Sequence, residues 1–117
     1  MLGEASLTMT KSANYGVVLV TTESIEQAKA IARSLIEQKL AACVNMFPVE
    51  SWYLWQQEVN CDREYQLIIK TDLAKFSELA RQIKTLHSYE VPEIIALPIV
   101  AGSKPYLDWL GANLNSN

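Results

Sequence analysis

The hydrophobic positions change period along the chain, and each change marks an element. Residues 15–22, Tyr-Gly-Val-Val-Leu-Val-Thr-Thr, form a nearly continuous β-branched apolar run. Such a run predicts a strand buried on both faces. From Ser24 the period becomes helical. Ile25, Ala28, Ile31, Ala32, Leu35 and Ile36 share one face, with Lys29, Arg33, Glu37 and Lys39 mostly on the other. The Ser24 hydroxyl can accept from the backbone N–H three residues on, and Gln27 at that position predicts a capping box.

Extended character returns over residues 40–53. Pro48 removes a ladder donor there, which predicts a bulge or an edge strand. The alternation Ser-Trp-Tyr-Leu-Trp at 51–55 puts Tyr53 and Trp55 on one strand face. Residues 56–62 are polar apart from Val59 and Cys61 and read as a hairpin connection. Residues 64–71, with Leu67, Ile68 and Ile69 at their centre, read as the partner strand. Thr71 or Asp72 can cap a second helix, whose apolar stripe is Leu73, Phe76, Leu79, Ala80, Ile83 and Leu86. Residues 90–92 break it. Residues 94–100 predict a fourth strand and Gly102 a turn. Pro105 suits the first turn of a short terminal helix carrying Tyr106, Leu107, Trp109 and Leu110.

The order β-α-β-β-α-β plus a terminal helix predicts an α+β fold, the ferredoxin-like double βαβ sandwich. Its sheet is four-stranded and antiparallel, with both main helices on one face. The second and third strands extend to about 12 residues, against a usual ~5–6. Long strands projecting past a small sheet are an edge liability in a monomer. The expectation is a symmetric oligomer in which one subunit's hairpin pairs with another subunit's sheet.

Composition narrows the picture. The chain has 117 residues, which fits one domain. At this size roughly 65% of the unfolded surface is buried, so no disulfide or structural metal is needed. Ten basic residues against thirteen acidic ones give a net charge of −3. No basic face follows, which speaks against nucleic acid or an anionic membrane as partner. No apolar stretch approaches the ~20 residues of a membrane span. Residues 1–14 contain Lys11 but no apolar signal-peptide core, so the expected location is cytoplasmic. Residues 1–13 are small and polar and read as a disordered tail before a domain at 14–114, with Met9 as an alternative start to Met1. Cys43 and Cys61 form no C-x-x-C pair and are sparse for a secreted domain. Reduced thiols are expected, with a disulfide between them as the alternative.

Candidate chemistry gathers in Leu-His-Ser-Tyr-Glu-Val-Pro, residues 86–92. His87, the only histidine, stands where a helix ends. It either meets the negative end of the helix dipole or joins Tyr89 and Glu90 in a site for a metal or a polar small molecule. Cys43 is either a small buried hydrophobe or a soft metal ligand. Trp52, Tyr53 and Trp55 either pack or stack on a ligand. Lys70 is an exposed cation, a counter-charge for an anion, or a partner for Glu90. The glycines stand apart at 3, 16, 102 and 111, so there is no phosphate loop. G-x-S-x-G, H-E-x-x-H and paired-cysteine zinc patterns are also missing, and a non-enzymatic role is expected.

Together these stretches resemble the CutA family. The resemblance is carried by Leu40-Ala41-Ala42-Cys43-Val44-Asn45, Ser51-x-Tyr53-x-Trp55, Leu67-Ile68-Ile69-Lys70-Thr71, His87-x-Tyr89-Glu90-Val91-Pro92-Glu93-Ile94 and Tyr106-Leu107-x-Trp109. It runs in order over nearly the whole chain without the tail. It implies a tight homotrimer similar to the PII-like signalling proteins, a role in divalent-cation tolerance and the response to metal ions, and copper or another divalent cation as candidate ligand. It also implies that Cys43, Tyr53, Trp55, Lys70, His87, Tyr89, Glu90 and Trp109 gather near a cleft between subunits, with His87 and Cys43 as candidate metal ligands. Copper-binding members share a first-strand cysteine and adjacent histidines; here Val20 and Leu86-His87 stand at those positions, so only His87 matches. Ser88 replaces a usual proline, and Gln57 a usual glycine, which predicts a looser turn and a less tight hairpin start. The alternative function is a PII-like trimeric module binding a small molecule or signalling without a metal.

Overall fold

The computed structural model describes residues 7–8 and 14–115. The expected disordered tail at 1–13 lies outside the described residues apart from Leu7 and Thr8. Those two form a short strand, β1 (Leu7–Thr8), antiparallel to β6 (Gly102–Ser103).

The main sheet holds β2 (Tyr15–Thr22), β3 (Cys43–Trp55), β4 (Glu58–Asp72) and β5 (Ile95–Pro98) in the order β3-β4-β2-β5, with every pairing antiparallel. Helices α1 (Ile25–Glu37) and α2 (Phe76–Leu86) complete the β-α-β-β-α-β succession, and α3 (Lys104–Ala112) follows. This is the ferredoxin-like arrangement that the sequence predicts.

Pairing register decides which side chains share a face. Val18 and Val20 of β2 stand opposite Ile69 and Leu67 of β4, and all four are fully buried. They meet Ile31 and Leu35 of α1 and Leu79 and Ile83 of α2 in one core. Burying each such side chain contributes about 1.5–3 kcal/mol. The other face carries Val17, Leu19 and Ile68, only partly buried, then Ile95 and Leu97, which are exposed. The expectation that β2 is buried on both faces therefore holds for one face within a single chain. At one end of the open face, α3 packs so close to Tyr15 that a Cβ on Gly111 would run into the Tyr15 hydroxyl.

Local chemistry sets the element ends. Ser24 accepts the Gln27 N–H at 3.1 Å, as predicted. The reciprocal half of the capping box is not formed, because the Gln27 side chain instead accepts from the Ser88 hydroxyl. Asp72 caps a short 3-10 turn, Leu73–Lys75, ahead of α2. Helix α1 ends in a Schellman turn: Lys39, at φ 58, donates to Ile36 and Leu40 donates to Leu35.

The expected connection at 56–62 is corrected. Only Gln56 and Gln57 form the turn, both with positive φ (51 and 66), and Trp55 already pairs with Glu58. The polar residues beyond it belong to a ribbon that no core of its own chain covers, where polarity does not oppose pairing. The turn is thus the tight two-residue kind, and Gln57 does not loosen it. Pro48 sits on edge strand β3 opposite Tyr65, in a register that runs without a bulge. The fourth strand is shorter than the predicted 94–100.

Beyond Thr22, β2 ends while β3 and β4 continue alone over residues 49–55 and 58–64. That ribbon reaches roughly 23 Å past the sheet. It draws the molecule out to 53 × 31 × 21 Å and the radius of gyration to 15.9 Å. A compact chain of this length would have a radius of about 13 Å.

Candidate functional site

One face of the projecting ribbon forms one wall of a cleft of about 640 Å³. In the unbroken register, Tyr53, Trp55, Asp62 and Glu64 stand on the same strand face. The opposite wall is the segment after α2, with Ser88, Tyr89, Glu90 and Val91. Two phenol–carboxylate pairs hold the walls. Tyr53 donates to Asp62 along the ribbon, and Tyr89 donates to Glu64 across the cleft at 2.7 Å. The bond to Asp62 raises the Tyr53 pKa. Burial, and then the Glu64 carboxylate, push the Tyr89 phenol far above its ordinary value.

His87 stands behind this cleft rather than in it. Its backbone N–H closes α2 on Ile83. Its ring is buried and uses both nitrogens. Nδ1 accepts from the Tyr89 N–H at 3.0 Å, which leaves the proton on Nε2, and Nε2 donates to the Thr21 carbonyl at 2.7 Å. The imidazole therefore bolts the end of β2 to the segment that presents Tyr89 and Glu90.

The structure thus brings together Tyr53, Trp55, Tyr89 and Glu90, with His87 as their support. It sets three other candidates elsewhere in the chain. Cys43 lies opposite Lys70 on the open sheet face, at the row of Val17. Lys70 donates to the Asn45 side chain and not to Glu90. Trp109 stacks on Tyr106 in α3, with ring centroids 5.6 Å apart. Burial raises the Tyr106 phenol, and the nearby Cys43 thiol adds to the shift. Within one chain Cys43 and His87 are not neighbours: His87 bonds Thr21, four residues along β2 from the row of Cys43. A preformed copper site is not what these residues offer, since both His87 nitrogens are engaged. Among the described residues no group of three or more His, Cys, Asp and Glu is placed to hold a metal ion. Both cysteines are free thiols.

Asp62 and Glu64 are cleft residues that sequence reasoning missed, and Ser88 and Val91 lie in the 86–92 stretch without being singled out as site residues. Placing the hairpin turn at 56–57 would have found the first two, because it sets Asp62 opposite Ser51 and so on the face of Tyr53.

Fold and site define a class, a ferredoxin-like domain whose central hairpin outruns its sheet and carries an acidic, aromatic cleft along one face. Residues 16–113 match the model of the CutA1 divalent ion tolerance protein family. A divalent-cation tolerance protein CutA from Thermus thermophilus is 51% identical over 98 residues, which cover 83% of this chain and 95% of the relative. The solved periplasmic divalent cation tolerance protein CutA from Archaeoglobus fulgidus superposes with a TM-score of 0.84 at 40% identity, over 86% of this chain and 99% of that one. CutA from Synechococcus elongatus superposes with a TM-score of 0.89 at 32% identity, over 97% and 99%. The chain belongs to the CutA1 divalent ion tolerance protein family.

Proposed function

We propose that the protein acts as a homotrimer in the response to divalent metal ions, as a cytoplasmic binding protein and not an enzyme. One observation carries the assembly: one face of the projecting ribbon is apolar and exposed. Trp52, Leu54 and Val59 are 67%, 72% and 70% exposed on that face. Apolar area on this scale marks a protein interface. The half-open sheet face of a neighbouring subunit is a surface of matching character, and a closed ring satisfies every copy.

The non-enzymatic reading is supported by His87, whose two nitrogens are committed to structural bonds and cannot serve a nucleophile. Desolvation, and then the Glu50 and Asp62 carboxylates, push the Cys61 thiol up, the opposite of activation. Two free thiols support the cytoplasmic reading. Copper or another divalent cation is held weakly, because ligation at His87 requires release of Thr21 or Tyr89.

Calorimetric titration with Cu(II) and Zn(II) tests the metal part. One weak site per subunit is expected, weaker still in His87→Ala. Equal uptake by both proteins removes His87 as a ligand, and no uptake by the wild type removes direct metal binding. The second reading, a small-molecule module, is favoured by the cleft itself.

A further inference from the structure

The chemistry of the cleft names a ligand class. Three carboxylates line it, Asp62 and Glu64 from β4 and Glu90 from the segment after α2, with no lysine or arginine among the lining residues. The ion pairs among the described residues, Arg33–Glu37 and Lys104–Asp108, involve none of the three. Glu64 is the most telling. It is only 8% exposed, and one hydrogen bond, from Tyr89, meets its side chain. A carboxylate offers about four lone-pair sites, and one withdrawn from water without a counter-charge opposes folding. The phenols of Tyr53 and Tyr89 donate to Asp62 and Glu64 but are neutral, so they bring no counter-charge. Farther along the same wall the Tyr53 ring reaches Asp62, and the Trp55 ring lines the cleft's far end by the ribbon turn, 42% and 63% exposed.

An organic cation answers both features. Ammonium groups make charge-assisted hydrogen bonds to carboxylates and sit favourably over aromatic faces. A bare metal ion fits less well, because the carboxylates do not converge. Asp62 and Glu64, two residues apart on one strand, have Cα atoms roughly 6.6 Å from each other. Separated carboxylates around a space of about 640 Å³ suit a ligand with separated charges. A phosphate or nucleotide is repelled.

We propose that the cleft binds a small aliphatic diamine or polyamine, with its ammonium groups on Asp62, Glu64 and Glu90 and its methylene chain along Trp55 and Tyr53. The proposal rests on the reading of this cleft as a small-molecule site. The test titrates the full chain with spermidine in amine-free phosphate buffer, followed by calorimetry and tryptophan fluorescence. Zn(II) titration and light scattering are run on the same preparation in an amine-free, non-coordinating buffer. Saturable binding is expected, weakened by salt and roughly tenfold weaker in Asp62→Asn/Glu64→Gln. Absence of spermidine binding, or equal affinity in that double variant, overturns the proposal. Should the double variant not fold, exposed Trp55→Leu takes its place: several-fold weaker binding supports the proposal, and unchanged affinity overturns it. A trimer that binds Zn(II) but not spermidine sinks this inference alone; a single chain that binds neither sinks the assembly and metal readings as well.

Discussion

The Tyr89 hydroxyl donates to the Glu64 carboxylate at 2.7 Å, joining the segment after α2 to the ribbon root where β2 stops. This bond fixes the width of the cleft. It also makes the fold sensitive to alkali. Below the ordinary phenol value of 10.0 the proton is present in folded and unfolded chains alike, and full stability is expected. Above it the unfolded phenol ionises while the folded one keeps its proton, so stability falls as pH rises toward the raised folded pKa. Urea midpoints from pH 8 to 11 should therefore decline above pH 10. In Tyr89→Phe the decline should be shallower, with Tyr53 and Tyr106 still contributing in the same direction. Equal slopes in the two proteins would count against the bond.

Tyr89→Phe also has a cost at neutral pH. It leaves the buried Glu64 side chain without its donor, a loss of about 1–3 kcal/mol. Chemical denaturation at pH 7 checks it. Tyr89→Phe/Glu64→Gln should recover part of the loss, because the remaining group is then uncharged.

His87→Ala removes two hydrogen bonds at once, and a loss of about 2–3 kcal/mol is expected. His87→Asn separates them. Its side-chain oxygen can still accept the Tyr89 N–H as Nδ1 does, but it cannot reach Thr21. An intermediate stability is predicted, with wild-type Trp55 fluorescence. If His87→Asn is no better than His87→Ala, the bond to Tyr89 contributes little.

The ribbon turn carries two glutamines at positive φ, a conformation that disfavours side chains other than Gly, Asn and Asp. Replacing Gln56-Gln57 by Asn-Gly should stabilise the protein by about 1 kcal/mol, read from thermal or urea unfolding. No gain, or a loss, would show that the tip is held by contacts the isolated turn does not have.

The sequence made most of the scaffold legible because its signals are local. The β-branched run at 15–22 marked a strand, the helical spacing from Ile25 to Ile36 marked α1, and Ser24 marked its start. Pro48 pointed to an edge, which β3 is. What stayed hidden depends on register and on solvent. Polar residues at 56–62 read as a connection because this ribbon has no core of its own chain to impose alternation. Asp62 was thereby lost from the cleft. The resemblance places Lys70 and Trp109 at a cleft between subunits; within one chain the pairing puts Lys70 beside Cys43 and α3 sets Trp109 on Tyr106. The double engagement of His87 needs Thr21, distant in sequence, and no spacing rule shows that.

Assembly through the ribbon predicts a separation of effects. Trp52→Glu with Leu54→Glu changes side chains that are 67% and 72% exposed in the single chain, so the subunit fold should barely change. The oligomer should dissociate. Circular dichroism and gel filtration together check this, and a variant that keeps both its helical signal and its assembled size would exclude those residues from the interface.

The most direct measurement is the mass in solution by light scattering. The account predicts about three times the 13.1 kDa of one chain. A mass of one chain, with Trp52 and Leu54 left in water, would contradict it.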